Sequence, residues 1–315
     1  MNSPLVIHTD IVSCPICGSD EYIKLAAGID FEYETCGNVF EYVKCSTCKV
    51  IYLKNRPSLS AIDIIYPDTY YAYNLSDHKK SLGIKIKSFI EIVKVKKYLS
   101  YHNQNPTVFD LGSGDGRILE LFEKAGVHKN NLFGVELNSE AGQKACNKGY
   151  QVFKGLFEEM PLPRQKMDIV IINQVIEHSS DPMLLLKKVF SMMSSQGVVI
   201  IETVNCDSLD YYLFSKSYWG GYHIPRHWTL FDRETLSYAM EKEGFTIISK
   251  KNMLSPVFWI LSFHNFFKQH NFDKFAKKIS YMNPVLLMLF TLLDLCILPF
   301  KLTSNMQIIG MKQER

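Results

Sequence analysis

The stretch Val108-Phe109-Asp110-Leu111-Gly112-Ser113-Gly114-Asp115-Gly116-Arg117 narrows the choice of fold more than any other part of this chain. β-Forming residues and an acid run into three glycines spaced G-x-G-x-G, and the apolar positions Ile118, Leu119, Leu121 and Phe122 follow at helical spacing. That order reads as strand, tight turn, helix. Glycine has no Cβ, so such a turn can adopt positive φ and lie close against a ligand. In a parallel α/β sheet this turn is where nucleotide-like cofactors bind.

Downstream the strand and helix signals alternate, which predicts an α/β fold: a Rossmann-like, seven-stranded, mostly parallel sheet with helices on both faces. Strands are expected near 108–111, 132–136, 152–154, 168–173, 198–204, 245–249 and 306–311. Helices are expected at 116–125, 139–148 and 182–193, the last started by Asp181 and Pro182, and from Asp232 to Gly244.

Five of the eight cysteines fall in the first fifty residues, and four of them form two matching knuckles, Cys14-Pro-Ile-Cys17 and Cys45-Ser-Thr-Cys48. Each knuckle can place two thiolates on one side of a turn, and two such turns complete a tetrahedral, closed, structural Zn²⁺ site. A redox pair would need only one of them. The intervening residues 18–44 exceed the commonest spacing of roughly 15–20, and β-rich stretches at 31–33 and 39–43 are expected to fill the difference. Cys36 has no partner in this pattern. The organisation is therefore a zinc-ribbon-like module over 1–56, a Tyr-rich linker and helix over 57–105, and the main domain over 106–315. In the linker Tyr66, Tyr70, Tyr71 and Tyr73 can close over a ligand or pack between the domains. The helix, at 79–101, sets Ile84, Phe89, Ile92, Val93 and Leu99 on its apolar side.

The main domain carries an apolar helical insertion at about 256–302, with apolar runs at 257–267 and 285–300 around a basic span at 268–278. Asp294 and Pro299 interrupt the second run, which falls short of the roughly 20 residues of a membrane span. A hairpin lying on a membrane surface and one buried in a protein interface both fit. The net charge of +3 argues against nucleic acid, which calls for a strongly basic face. No basic leader precedes an apolar run, so a cytoplasmic location is expected, with peripheral contact at the inner face of the membrane open to the hairpin.

Details of the loop discriminate among cofactors. A dinucleotide fold places its third glycine where this chain has Arg117. Asp110 would repel a pyrophosphate and attract an ammonium group, while Glu136, ending the second strand, can bind ribose hydroxyls. A sulfonium cofactor without phosphates fits better than NAD.

Asp110-Leu-Gly-Ser-Gly-Asp-Gly116 with Glu136 resembles the S-adenosylmethionine site of class I methyltransferases. Residues 167–182 and 197–205 are similar to the fourth- and fifth-strand motifs of that family. The leading zinc knuckles, with Pro225-Arg226-His227 before a capped helix, resemble a bacterial subgroup associated with sugar and surface-polysaccharide modification. The resemblance implies that Asp110, Gly112, Ser113 and Gly114 hold the methionine end, Glu136 the ribose, and Leu137 the adenine. Many relatives have an aspartate after the third strand; Gly155-Leu156-Phe157 stands there, so Leu156 is expected to give apolar packing instead. Asn173 and Gln174 would face the methyl-bearing sulfur.

A hydroxyl or carbon acceptor also needs a base, for which histidine is suited near neutrality. His178 follows the fourth strand with Glu177 to orient it, although that pair can equally serve only to hold the loop. His223 and His227 lie in an aromatic loop after the fifth strand; one is a base candidate and the other packs. Arg226 could take an acceptor phosphate or carboxylate bidentately, with Tyr222, Tyr70 and Tyr71 beside it. The leading expectation is S-adenosylmethionine-dependent methyl transfer to a sugar, nucleotide- or lipid-linked, in envelope glycan synthesis. The alternatives are quinone or small-molecule O-methylation at a membrane, and a non-catalytic cofactor-binding module that docks a partner through its knuckles.

Overall fold

The computed structural model describes residues 5–67, 82–102 and 105–313. The chain first forms β1 (Thr9–Ile11), β2 (Tyr22–Gly28), β3 (Phe40–Cys45), β4 (Ile51–Leu53) and β5 (Asn55–Pro57), then α1 (Ile62–Ile65) and α2 (Leu82–Leu99). Next come β6 (Val108–Leu111), α3 (Arg117–Lys124), β7 (Leu132–Glu136), α4 (Ser139–Asn147), β8 (Gln151–Lys154), β9 (Met167–Asn173), α5 (Pro182–Met192) and β10 (Met193–Val204). The remainder is α6 (Leu209–Phe214), β11 (Thr229–Leu230), α7 (Arg233–Lys242), β12 (Phe245–Met253), α8 (Pro256–Gln269), α9 (Asp273–Ala276), α10 (Pro284–Ile297) and β13 (Asn305–Lys312).

Seven strands make the main sheet in the order β12-β13-β10-β9-β6-β7-β8. Strands β6 to β10 pair in parallel, and β13 enters antiparallel between β10 and β12. Side chains alternate across the sheet: Val108, Ile169 and Ile171 join the core on one face, and Phe109, Leu111, Val170 and Ile172 the core on the other. Both faces are therefore dry, which is why these strands read as nearly unbroken apolar runs. The helices start where side chains can accept the first free N–H groups: Asn138 accepts from Ala141 N, Asp181 from Leu184 N, and Asp232 from Thr235 N in a capping box.

Three expectations change. Residues 31–33 form a turn instead of a strand, because the Asp30 carboxylate accepts from Tyr33 N, Thr35 N and Thr35 Oγ1 and closes the chain on itself. The strand that fills the space between the knuckles lies earlier, at β2. On α2 Ile92 and Leu99 pack as expected, together with Val95 and Tyr98, while Val93 is 53% exposed.

The N-terminal sheet has the order β11-β4-β3-β2, so its edge strand comes from Thr229 and Leu230, far along the chain. Cys14, Ile16, Val43, Cys45 and Val50 share one apolar core with Leu111, Val170, Phe231 and Leu236. The N-terminal segment and the main sheet thus have a strand exchange and a core in common.

Candidate functional site

Strand β6 delivers Asp110 into the glycine turn, where both carboxylate oxygens are buried without a hydrogen-bond partner among the described residues. Burial pushes this carboxyl up to about 8; Arg117 pulls it down and Glu136 adds to the rise. Ser113 Oγ is a third buried polar atom there without a hydrogen-bond partner among the described residues. Gly112 has φ +78°, and a Cβ there would meet Val175 Cγ2 at 2.6 Å. Gly114 has φ +54° with open space around it. Glu136 ties the turn to β7: its Oε2 accepts from Gly114 N at 2.7 Å and its Oε1 from Asn138 N at 2.8 Å.

These features fit the S-adenosylmethionine expected from the sequence. An orphaned buried carboxylate is costly unless a cation compensates it, and an ammonium group would do so. Leu137 is 50% exposed and Leu156 half-buried beside buried Phe157, leaving apolar surface for a base. At the end of β9, Gln174 adopts φ +54° and its side-chain amide donates to Asn305 Oδ1 at 3.1 Å. Its neighbour Asn173 is in register with Glu202 on β10. Glu202 is buried and receives Tyr98 Oη at 2.9 Å, Gln307 Nε2 at 2.7 Å and Lys94 Nζ at 2.5 Å. No local sequence signal marks that network, since its members lie on separate elements.

Past β9 the chain makes a 3-10 turn at Ile176–His178, and three histidine rings converge. Ring centroids are 4.6 Å apart for His178 and His227, 5.0 Å for His223 and His227, and 6.4 Å for His178 and His223. His178 Nδ1 lies 3.0 Å from the Arg226 carbonyl and 2.8 Å from Tyr66 Oη; His227 Nδ1 lies 2.8 Å from the Gly221 carbonyl. A carbonyl only accepts, so Nδ1 carries the hydrogen in both rings and Nε2 keeps its lone pair. Burial, with His223 close by, drives His178 down to about 3, and burial beside the other two rings holds His227 well below the usual range. Both are neutral imidazoles at pH 7. His223, at φ +40°, sets Nδ1 2.9 Å from Glu32 Oε2.

Several expected roles are corrected here. Glu177 does not orient His178: its carboxylate is fully buried without a hydrogen-bond partner among the described residues, and burial pushes it up to about 7. The Arg226 carbonyl and Tyr66 hydroxyl hold the ring instead. Arg226 is not free for an acceptor, because it is fully buried and four of its five N–H groups are used: two on Asp30, one each on the Ile65 and Ile224 carbonyls. Tyr222 is also buried, its hydroxyl donating to Ser215 O at 2.5 Å and its ring stacked on Tyr42 at 4.4 Å. Tyr70 and Tyr71 lie outside the described residues.

The N-terminal segment supplies the supports that sequence patterns did not indicate. Asp30 neutralises Arg226, Glu32 meets His223, and Tyr42 Oη lies 2.8 and 2.7 Å from the carbonyls of Tyr222 and His227. One donor atom from each of Glu177, His178 and His227 falls within 4.8 Å of the others, a set able to hold a proton or a divalent cation.

At the far end of that segment, sulfur atoms of Cys14, Cys17, Cys45 and Cys48 also lie within 4.8 Å of one another. Cys14 and Cys48 sulfurs are 3.4 Å apart, and Cys17 and Cys45 sulfurs 3.5 Å. Four thiolates about 2.3 Å from a Zn²⁺ would be about 3.8 Å apart, so the cluster suits that ion with a small expansion. Each knuckle turns through a left-handed residue, Gly18 at φ +74° and Lys49 at φ +67°, and closes with an N–H to the first cysteine's carbonyl. Cys36 is buried in a separate core.

Comparison with known proteins matches residues 90–250 to the family described as a methyltransferase domain. A ubiquinone biosynthesis O-methyltransferase of Rhodopseudomonas palustris is 26% identical over 100 residues, which is 31% of this chain and 40% of that protein. The corresponding Bradyrhizobium diazoefficiens protein is also 26% identical over 100 residues, with the same coverage. The match thus spans well under half the length of these curated relatives. Among solved structures, an S-adenosylmethionine-dependent methyltransferase from Archaeoglobus fulgidus aligns with a TM-score of 0.45 and 20% identity, over 74% of this chain and all of that one. A possible histamine N-methyltransferase from Thermotoga maritima gives 0.46 and 18%, over 73% of this chain and 90% of that one.

Proposed function

The chain belongs to the methyltransferase-domain family, and on that premise we propose that it transfers a methyl group from S-adenosylmethionine to a sugar, nucleotide- or lipid-linked, in cell-envelope glycan synthesis. The observation that carries the cofactor is the buried, unpartnered carboxylate of Asp110 at the glycine turn. When bound, S-adenosylmethionine supplies a methyl already activated on a sulfonium, so the protein's work is alignment and proton removal.

Asp110 and Ser113 bind the methionine end, Gly114 lets it pass, and Glu136 takes the ribose. His178 presents a lone pair where an acceptor hydroxyl would arrive, held in that tautomer by the Arg226 carbonyl. A ring held near 3 is a weak base alone. Glu177, adjacent and titrating near 7, is the group that can stabilise the imidazolium as it forms. Arg226 acts from behind: locked on Asp30, it fixes the carbonyl that holds His178. A structural Zn²⁺ on Cys14, Cys17, Cys45 and Cys48 would set the position of the segment carrying Asp30, Glu32 and Tyr42.

A second reading, O-methylation of a quinone or similar small molecule, is favoured by the likeness to the ubiquinone O-methyltransferases. A non-catalytic module docking through its knuckles is disfavoured, because Cys14 and Cys45 are buried in the shared core. Incubation with methyl-labelled cofactor and a fractionated extract separates the three. Label in a glycan intermediate supports the sugar reading and label in a quinone the second; calorimetric cofactor binding with no labelled product would sink both.

A further inference from the structure

The hairpin formed by α8 and α10 is apolar on both sides. Its inner side is packed: the Phe290 ring stacks on Trp259 at 5.9 Å and on Phe263 at 5.7 Å, and Asp294 accepts from Trp259 Nε1 at 3.0 Å and Ser255 N at 2.6 Å. Its outer side is Val285, Met288, Leu289, Leu292 and Leu295, each between 49% and 64% exposed. These positions follow the three-and-four spacing of one helical stripe, so they form a continuous face. Exposed Met282 and Phe300 extend it at either end. Between Lys274 and Ser304 the single acid is Asp294, which is buried, while Lys274, Lys277, Lys278 and Lys301 are exposed.

We propose that this face is a docking surface for an anionic lipid bilayer, with α10 lying in the plane of the interface. A stripe without one exposed charge, bordered by Lys274, Lys277 and Lys278 against one exposed acid, Asp273, at one end and by Lys301 at the other, matches a surface that is apolar inside and negative at its headgroups. A second copy of the chain would bring the same lysines together across a two-fold contact, where like charges repel. Spanning is ruled out by length: fourteen residues reach about 21 Å against a hydrocarbon core of about 30 Å, and no described helix is long and apolar enough to cross.

The docked hairpin is joined to the acceptor side of the molecule. Ser262 Oγ on α8 accepts from Gly220 N at 2.8 Å, and Asn265 Nδ2 donates to Tyr218 O at 3.2 Å. The loop that leads into His223 and His227 is therefore held against the lipid-binding element. Resting on the methyl-transfer reading, this placement selects an acceptor anchored in the membrane over one free in solution.

The test is co-sedimentation of the full chain with phosphatidylglycerol vesicles and with phosphatidylcholine vesicles, for the wild type and for Leu289→Glu with Leu292→Glu. The wild type is expected to pellet with the anionic vesicles, and the double variant to lose about tenfold or more of its partitioning, because each carboxylate would have to enter the apolar boundary. Cofactor binding measured on the same samples reports separately on the methyl-transfer reading and confirms that the variant is folded. Absence of wild-type binding, or equal binding by the variant, overturns the docking proposal. Equal binding to phosphatidylcholine overturns the anionic assignment. A dimer in light scattering that the double variant splits would assign the face to a second copy instead.

Discussion

Acidification should weaken cofactor binding through Asp110. Its carboxyl, buried and unpartnered, is held at about 8, so below that pH the free protein carries it protonated. An ammonium group binds the ionised form, so each binding event at lower pH must first release a proton. Apparent affinity should therefore fall toward tenfold per pH unit below 8, about fiftyfold or about 2.3 kcal/mol between pH 8 and 6. Isothermal titration at several pH values, repeated in buffers of different ionisation enthalpy, measures both the affinity and the proton released. Asp110→Asn keeps the shape and removes the charge, so it should bind weakly and lose this pH dependence. A wild type whose affinity is flat from pH 6 to 8 with no proton release, or an Asn variant with the same slope, would falsify the role given to Asp110. In the free protein the sign of the stability contribution is opposite to that of binding. A carboxyl raised by burial contributes stability that is fully present below its unfolded pKa near 3.9 and is lost as pH rises through about 8.

Gly112→Ala should cost at least about 1–2 kcal/mol from the left-handed backbone alone, with the added clash against Val175. Calorimetry should show a lower melting temperature together with weaker cofactor binding, and an unchanged variant would contradict the turn geometry. Asp30→Ala leaves Arg226 buried without its counter-charge and should destabilise the chain by about 3–5 kcal/mol. Urea denaturation measures this, and a loss under about 1 kcal/mol would show that water reaches the guanidinium. Metal analysis of protein purified without added metal should find about one ion per chain. Chelation should lower both the melting temperature and turnover, because the knuckles share a core with the sheet beneath the site. Two ions would load the set of Glu177, His178 and His227 as well, and none would remove the zinc reading.

The strand, turn and helix around Asp110 were legible because they are local. Glycines at fixed offsets, an acid before them and a helical apolar period after them all lie within fifteen residues, and β6 falls on the expected 108–111. The caps at Asp181 and Asp232 were readable for the same reason: each bonds N–H groups two or three residues away. The antiparallel entry of β13, the β11 strand exchange and the Glu202 network carry no such local mark, since their partners meet only when the chain folds.

Arg226 shows the limit most clearly. An arginine between two histidines in an aromatic loop has the composition of an anion site, and nothing near it in sequence says otherwise. Its counter-charge, Asp30, is 196 residues away and fully buried with it. Glu177 and His178 show the converse: adjacent in sequence, one ring is held by the Arg226 carbonyl and Tyr66 hydroxyl while the neighbouring carboxylate has no hydrogen-bond partner among the described residues. The parallel strands, the glycine turn and the paired knuckles are legible along the chain, because short-range backbone geometry and periodicity set those. Which polar groups are spent on one another and which stay unpaired is settled in the fold, because burial brings together residues that the chain keeps far apart.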